Sequence, residues 1–329
     1  MSILVTGGAG YIGSHMVWNL VDAGESVTVL DNLSTGFDWA IADAARLVHG
    51  DIADETLLDQ VLGSGEIDAV IHFAGSIIVP ESVSDPLKYY RNNTANSRTL
   101  LEACVRNKVR NFIFSSTAAV YGDPVTVPVP EDAALCPLSP YGSSKLMTEI
   151  MLADTAKAHD FHYTALRYFN VAGADPKGRT GQSTANATHL IKVACEAALG
   201  KRDHLSIFGT DYDTPDGTGV RDYIHVSDLV EAHALALKDL RATGESRVMN
   251  CGYGEGFSVR QVIDAVRRAS NKDFKVLEEP RRPGDSPKVV ARADKIRATL
   301  GWQPRYDDLD TIVGHALAWE DGLARRNRL

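Results

Sequence analysis

Cysteine is scarce in this chain, and what there is lies scattered. Cys104, Cys136, Cys195 and Cys251 are far apart and form no C-x-x-C pair, which argues against a zinc cluster or a disulfide framework and fits a reducing compartment. No block of lysine and arginine occurs, and the formal charge is −9, so the electrostatics of a duplex-binding protein are missing and no nucleic-acid partner is expected. Arg325, Arg326 and Arg328 read as a solvated chain end. No apolar run approaches membrane-spanning length, so no membrane partner is expected. The first strand is expected to begin at Ser2, leaving no room for a signal peptide, and the expected location is the cytoplasm. His15, His49, His72, His204, His225, His233 and His315 show no metal-ligand spacing and read as structural or solvated; no metal is expected. Neither an internal repeat nor a low-complexity linker is present.

What is present suits one large α/β domain carrying a smaller lobe: 329 residues, 44% hydrophobic and 23% charged. Ile3-Leu4-Val5, Val27-Thr28-Val29-Leu30, Ala69-Val70-Ile71 and Phe112-Ile113-Phe114 read as buried parallel strands, each nearly continuous in apolar residues. Between them, Ile12, Met16 and Leu20 repeat at helical spacing, as do Leu100 and Cys104. Alternation of this kind implies right-handed crossovers and a doubly wound parallel sheet. From about Val171 the pattern loosens: 175–188 and 210–219 read as loops. RDYIHVSDLVEAHALAL begins as a strand and becomes a helix, expected to be capped by Ser227 or Asp228 and to return to the first domain. The expected division is therefore 1–170 plus about 220–245 for the large domain. About 171–219 and 246–329, with the helices at Ser258–Ser270 and around Trp319, would form the smaller α/β lobe.

Gly7, Gly10 and Gly13 follow the first strand and open the first helix at G-x-x-G-x-x-G spacing. Glycine permits the tight turn and lets the backbone approach a pyrophosphate, which then meets N–H groups at a helix N-terminus. The strand before, the helix after and an acid at the end of the second strand agree with a Rossmann dinucleotide site. That acid is Asp31, whose carboxylate accepts ribose hydroxyls and repels a 2′-phosphate, favouring NAD over NADP; Asn32 stands beside it. Asp51 and Ile52 follow the third strand, where they would hold adenine or form a plain turn.

Tyr141 and Lys145 are four residues apart, on one face if the segment is helical. An ammonium beside a nicotinamide cation would lower the phenol from about 10 toward neutrality, as a base for an alcohol requires. A surface pair has the same spacing. Phe114-Ser115-Ser116-Thr117 tips the balance by offering a hydroxyl at the carboxyl edge of the sheet, where ligands of open α/β sheets bind. The small residues of Phe73-Ala74-Gly75 leave room for a cofactor.

TGGAGYIG, HFAG, SSTAAVYG, YGSSK and RYFNVAGA resemble the extended short-chain dehydrogenase/reductase superfamily. With GTGVRDYIHV and PRRPGD they resemble its UDP-glucose 4-epimerase family, nearly end to end. The resemblance implies that Tyr141 is the base, that Lys145 binds the nicotinamide ribose and that Thr117 bonds the sugar 4-hydroxyl. It places Gly7, Gly10, Tyr11, Ile12, Gly13, Asp31, Asn32, Asp51, Ile52, Phe73, Ala74, Gly75, Asn92 and Phe169 on NAD. Asn170, Leu190, Phe208, Arg221, Arg282 and Asp285 fall on UDP-hexose contacts, two arginines being suited to clamp a diphosphate and Phe208 to face uracil. It also implies reversible 4-epimerisation through a keto sugar, retained NAD and a homodimer formed through the helices near Leu100 and Met147.

Three positions depart from the family pattern. Ile77 replaces a lysine, His189 an asparagine, and Val289 stands where some members carry tyrosine, leaving space for N-acetylhexosamines. A sugar-nucleotide 4,6-dehydratase would carry Asp-Glu after the strand-end threonine, whereas Thr117 is followed by Ala118 and Ala119. A UDP-pentose 4-epimerase fits the same residues. A non-catalytic NAD-binding regulator has no use for Thr117, Tyr141 and Lys145 together.

Overall fold

The computed structural model describes residues 1–185, 187–282 and 285–326. Pro283 and Gly284 of the PRRPGD run, and Arg328, lie outside the described residues. The apolar runs form the parallel sheet that their continuity implies, because a strand covered on both faces needs no polar side. Seven strands pair in the spatial order Arg247–Cys251, His162–Tyr168, Asn111–Thr117, Ile67–His72, Ser2–Thr6, Ser26–Asp31, Arg46–His49, every pair parallel. The chain reverses its direction of travel across the sheet beside Ser2–Thr6, which opens a crevice at the carboxyl ends of the strands. Two hydrophobic clusters fill the two faces of the sheet: Leu4, Val70, Phe112 and Leu152 on one, Ile3, Val5, Ile71 and Ile113 on the other.

The second cluster runs on without a break into the later part of the chain, through Ile191, Val262 and Ile312. Helices Leu190–Ala198, Val259–Ser270 and Leu309–Arg326 pack on one another there. Short strand pairs join distant segments: Asn170–Ala172 with Tyr223–His225, Leu205–Phe208 with Val276–Glu279, and Val220–Arg221 with both Phe257–Ser258 and Lys288–Val289. Helix Val226–Thr243 returns to the sheet, packing on helix Tyr11–Asp22 and on the strands Asn111–Thr117 and His162–Tyr168.

Its cap differs from the expected Ser227 or Asp228. His225 caps it, ring Nδ1 accepting the Ser227 N–H at 3.0 Å. Asp228 is drawn inward, where its carboxylate accepts from the N–H groups of Arg305 and Tyr306 and from the Tyr253 hydroxyl. Arg326 is more than a solvated terminus: it donates to the carbonyls of Gly178 and Arg179 and lies 4.8 Å over the Trp319 ring.

Candidate active site

The glycine run is forced by contact. Gly7 has φ +70°, and a Cβ on it would lie 2.6 Å from the Ala74 nitrogen. A Cβ on Gly13 would lie 2.1 Å from the Gly7 carbonyl oxygen, and on Gly10 3.3 Å. The glycine loop and Phe73-Ala74-Gly75 therefore touch backbone to backbone, a cradle that any side chain would fill. Among the described residues no side chain caps helix Tyr11–Asp22, so its first N–H groups are open to an anion. This cradle fits a dinucleotide.

Around it, Asp31 accepts from the Ala9 N–H at 2.9 Å with Oδ2 and from the Leu33 N–H at 2.8 Å with Oδ1. Each oxygen keeps a lone pair for a ribose hydroxyl. Asn32 donates to Asp51 at 2.8 Å, joining the ends of the second and third strands. Ile52 is buried in the cluster on one face of the sheet, and Ile12 packs, partly buried, against the cluster on the other. The Tyr11 hydroxyl donates to the Gly173 carbonyl at 2.7 Å, tying the glycine loop to the segment after strand Asn170–Ala172. Asn92 lies in a π-helical stretch, Tyr90–Ala95, and donates to the Ser76 hydroxyl at 3.1 Å. Ile77, in place of the family lysine, is half-exposed.

Helix Pro140–Ala158 starts where Ser139 caps it and puts Tyr141 and Lys145 on one face. A Cβ on Gly142 would lie 2.6 Å from the Ala119 carbonyl, so the helix is pressed against the turn after Thr117. The Lys145 ammonium donates to the Ser115 carbonyl at 2.9 Å, and a Cβ on Gly75 would stand 3.8 Å from it. The triad expected from two separate motifs thus shares one corner with the dinucleotide cradle. Burial lowers Lys145 to about 8. The expected lowering of the phenol is not supplied by the chain's own groups: burial raises Tyr141, and only the Thr117 hydroxyl pulls it back. The Lys145 ammonium is anchored on a carbonyl, and desolvation of the phenolate is the largest influence on Tyr141.

On the substrate side, Asn170, His189 and Leu190 line one cavity with Gln182, Tyr223 and Trp319. The His189 ring Nδ1 is bonded to the Gln182 amide at 2.8 Å, and burial lowers its pKa. Phe169 and Val289 meet in a small cluster with Val120, Tyr121 and Leu146, behind the Thr117 turn. Arg221 donates to the Val220 carbonyl. Arg282 and Phe208, assigned to diphosphate and uracil, lie together, the guanidinium 3.6 Å from the ring centroid. The Asp285 N–H donates to the Arg282 carbonyl at 3.3 Å.

Residues that spacing did not single out support the corner from behind. The Tyr168 hydroxyl bonds Ser115, and Ser116 donates to Glu149, itself paired with Arg167 inside the protein. Asn93 clamps Ser76, accepting its N–H at 2.7 Å and donating to its carbonyl at 2.9 Å. Ser115, Ser116, Arg167 and Tyr168 lie inside the SSTAAVYG and RYFNVAGA runs and Asn93 follows Asn92, whereas Glu149 carries no such signal.

Comparison with known proteins agrees with this geometry. A family model described as "NAD dependent epimerase/dehydratase family" matches residues 3–252. The UDP-glucose 4-epimerase of Azospirillum brasilense is 60% identical, over 98% of this chain and 92% of that protein. A crystal structure of UDP-glucose 4-epimerase from Brucella ovis in complex with NAD superposes with a TM-score of 0.94 at 44% identity, covering 96% of this chain and 97% of that one. The UDP-Glc/GlcNAc 4-epimerase of Campylobacter jejuni superposes at 0.86 with 49% identity, covering 97% and 99%.

Proposed function

The chain belongs to the NAD dependent epimerase/dehydratase family, and on that premise we propose that it is an isomerase interconverting UDP-glucose and UDP-galactose at carbon 4. The observation that carries the proposal is the single corner holding Thr117, Tyr141 and Lys145 against the dinucleotide cradle. NAD, when bound, accepts and returns the hydride of carbon 4, so the sugar passes through a 4-keto form.

Tyr141 takes the proton of the 4-hydroxyl and gives it back. Thr117 holds the same oxygen, its own hydroxyl fixed by the Ala119 N–H at 3.1 Å. Lys145 has three donors, one anchored on the Ser115 carbonyl; the others serve the ribose and hold positive charge beside the phenol. Gly7, Gly10, Gly13, Asp31, Asn32, Asp51, Asn92 and the 73–75 turn hold the dinucleotide. Arg221, Arg282 and Phe208 grip the UDP, leaving the hexose free to turn and meet the cofactor with its other face. In this division 1–170 with about 220–245 binds NAD, and the rest binds the UDP-sugar.

Val289, small and partly buried beside Phe169, favours a wider hexose pocket and turnover of UDP-GlcNAc and UDP-GalNAc as well; the likeness to the Campylobacter enzyme supports this. A homodimer is supported by apolar side chains left outward around helix Pro140–Ala158: Met147, Ile150, Val83 and Leu87. Leu100 itself is fully buried, so its helix would contribute other faces. No described helix is long and apolar enough to cross a membrane, and with the scattered cysteines this supports a cytoplasmic enzyme.

The test is incubation of purified protein with UDP-galactose, UDP-GalNAc and UDP-arabinose without added NAD, followed by NMR. Conversion of UDP-galactose is the expected result. Conversion of UDP-arabinose alone would replace the hexose by a pentose, and conversion of none by NAD-loaded protein would remove the reading.

A further inference from the structure

The motif that supplies Arg221 continues into Asp222, a carboxylate with no exposed surface that takes no part in proton transfer or in the dinucleotide cradle. Burying a charge is costly unless hydrogen bonds replace its water. Here every polar group of the residue is engaged. Oδ1 accepts the Tyr253 N–H at 3.0 Å, while Oδ2 accepts those of Gly254 at 3.0 Å and Ala291 at 3.2 Å. Its own N–H donates to the Val289 carbonyl at 3.2 Å, and its carbonyl accepts the Asn170 N–H at 3.0 Å. Burial outweighs the pull of the three N–H groups and leaves the carboxyl raised to about 6. The packing leaves no slack, since a Cβ on Gly252 would lie 2.7 Å from both Oδ2 and the Ala291 Cβ.

Three segments far apart in sequence therefore meet on one residue: strand Asn170–Ala172, the turn at 252–254, and the stretch from Val289 to Ala291. Two of them carry side chains assigned to the nucleotide sugar, Asn170 and Val289, and a third such side chain, Arg221, is the immediate neighbour. None belongs to the dinucleotide cradle.

We propose that Asp222 is a positioning residue for the substrate side, holding Asn170, Arg221 and Val289 in mutual register and thereby setting affinity for the nucleotide sugar and discrimination between hexose and N-acetylhexosamine. The proposal rests on the UDP-sugar reading above. A carboxylate suits the task because it accepts from several N–H groups at once without offering a competing donor.

Asp222→Asn keeps the shape. With its amide oxygen in the Oδ2 place it retains Gly254 and Ala291 but turns an NH₂ toward the Tyr253 N–H. In the NAD-loaded enzyme we expect UDP affinity, read by calorimetry, to fall about tenfold, and KM to rise in step. Bound NAD should stay, kcat should change less than KM, and the kcat/KM ratio of UDP-galactose to UDP-GalNAc should shift. A loss of stability alone would lower Tm and leave that ratio in place. Unaltered UDP affinity and sugar ratio in folded, NAD-loaded Asp222→Asn would overturn the proposal. Should that variant not fold, Gly252→Ala presses on Oδ2 with the charge kept, and the same two readouts decide in the same way. A wild-type protein that neither binds UDP nor converts UDP-galactose would instead overturn the underlying functional reading.

Discussion

On the side proposed for the cofactor, residues 7–13, 31–32, 51–52 and 73–75 come from the ends of four strands of one sheet, each within a few residues of its strand. On the side proposed for the substrate, Asn170, Phe208, Arg221 and Val289 come from strand pairs of two to four residues, Leu190 from a helix start and Arg282 from a loop. The first half rests on backbone shape: glycines where a Cβ would strike a carbonyl, and N–H groups at a helix start. The second rests on side chains held by other side chains and by buried hubs such as Asp222. The half proposed to hold NAD is built on one sheet edge. The half proposed to hold the sugar nucleotide is assembled from separate short elements.

If the halves are separable, damage at the corner where they meet should stop chemistry without emptying either. For Tyr141→Phe we predict a loss in kcat of about 10³-fold, in the range of a general acid–base group, with NAD still present when the protein is denatured and its cofactor counted. Loss of NAD along with activity would break the comparison, because the phenol would then be part of the cradle. Gly13→Ala attacks the other half. Its methyl meets the Gly7 carbonyl at 2.1 Å, an overpacking worth about 2–3 kcal/mol, so NAD retention should weaken by roughly 30- to 150-fold. UDP affinity should move little, and parallel titrations with the two nucleotides check this.

The two halves also differed in how far the sequence spoke for them. The glycine spacing and the Tyr141/Lys145 pair are local patterns, and Asp31 ends the next strand, so each is recognisable from its own neighbours; the structure brings them together. The parallel sheet was legible for the same reason: each strand is a continuous apolar run. The cap of helix Val226–Thr243 was misplaced because a histidine took the role of Ser or Asp, while Asp228 served a different segment. Glu149, Arg167, Asn93 and Asp222 were unreadable because their partners lie 16 or more residues away. Nothing in the spacing told that Arg282 would lie on Phe208. Burial raises the phenol in the chain alone, a quantity that a sequence pattern does not weigh; the expected acidity was stated for a nicotinamide cation beside it.

Arg221→Ala sharpens the substrate half. Charge-assisted hydrogen bonds to phosphate contribute about 2 kcal/mol, so UDP should bind roughly 30-fold more weakly while NAD content stays constant. Raising UDP-sugar concentration should recover most of kcat, because a grip on the diphosphate acts alike in ground and transition states. A fall in kcat that saturation does not repair would mean that Arg221 also orients the sugar toward Tyr141.

The smallest expected effect concerns the hexose alone. Val289 shares a small apolar cluster with Phe169, and its carbonyl is held by the Asp222 N–H; on the reading that it borders the hexose, a larger side chain there narrows that pocket. Val289→Tyr should lower kcat/KM for UDP-GalNAc about tenfold more than for UDP-galactose, the size of steric discrimination in an apolar pocket. NAD content should be unmoved, since the cradle does not touch this residue, and UDP affinity should move little, because Val289 meets Arg221 through backbone strand pairing alone. A parallel loss for both sugars would place the side chain against the diphosphate or the fold, and the substrate half would then have no separate hexose compartment. Selective loss of the N-acetyl substrate would divide that half again, into a fixed nucleotide grip and a sugar chamber whose width one residue sets.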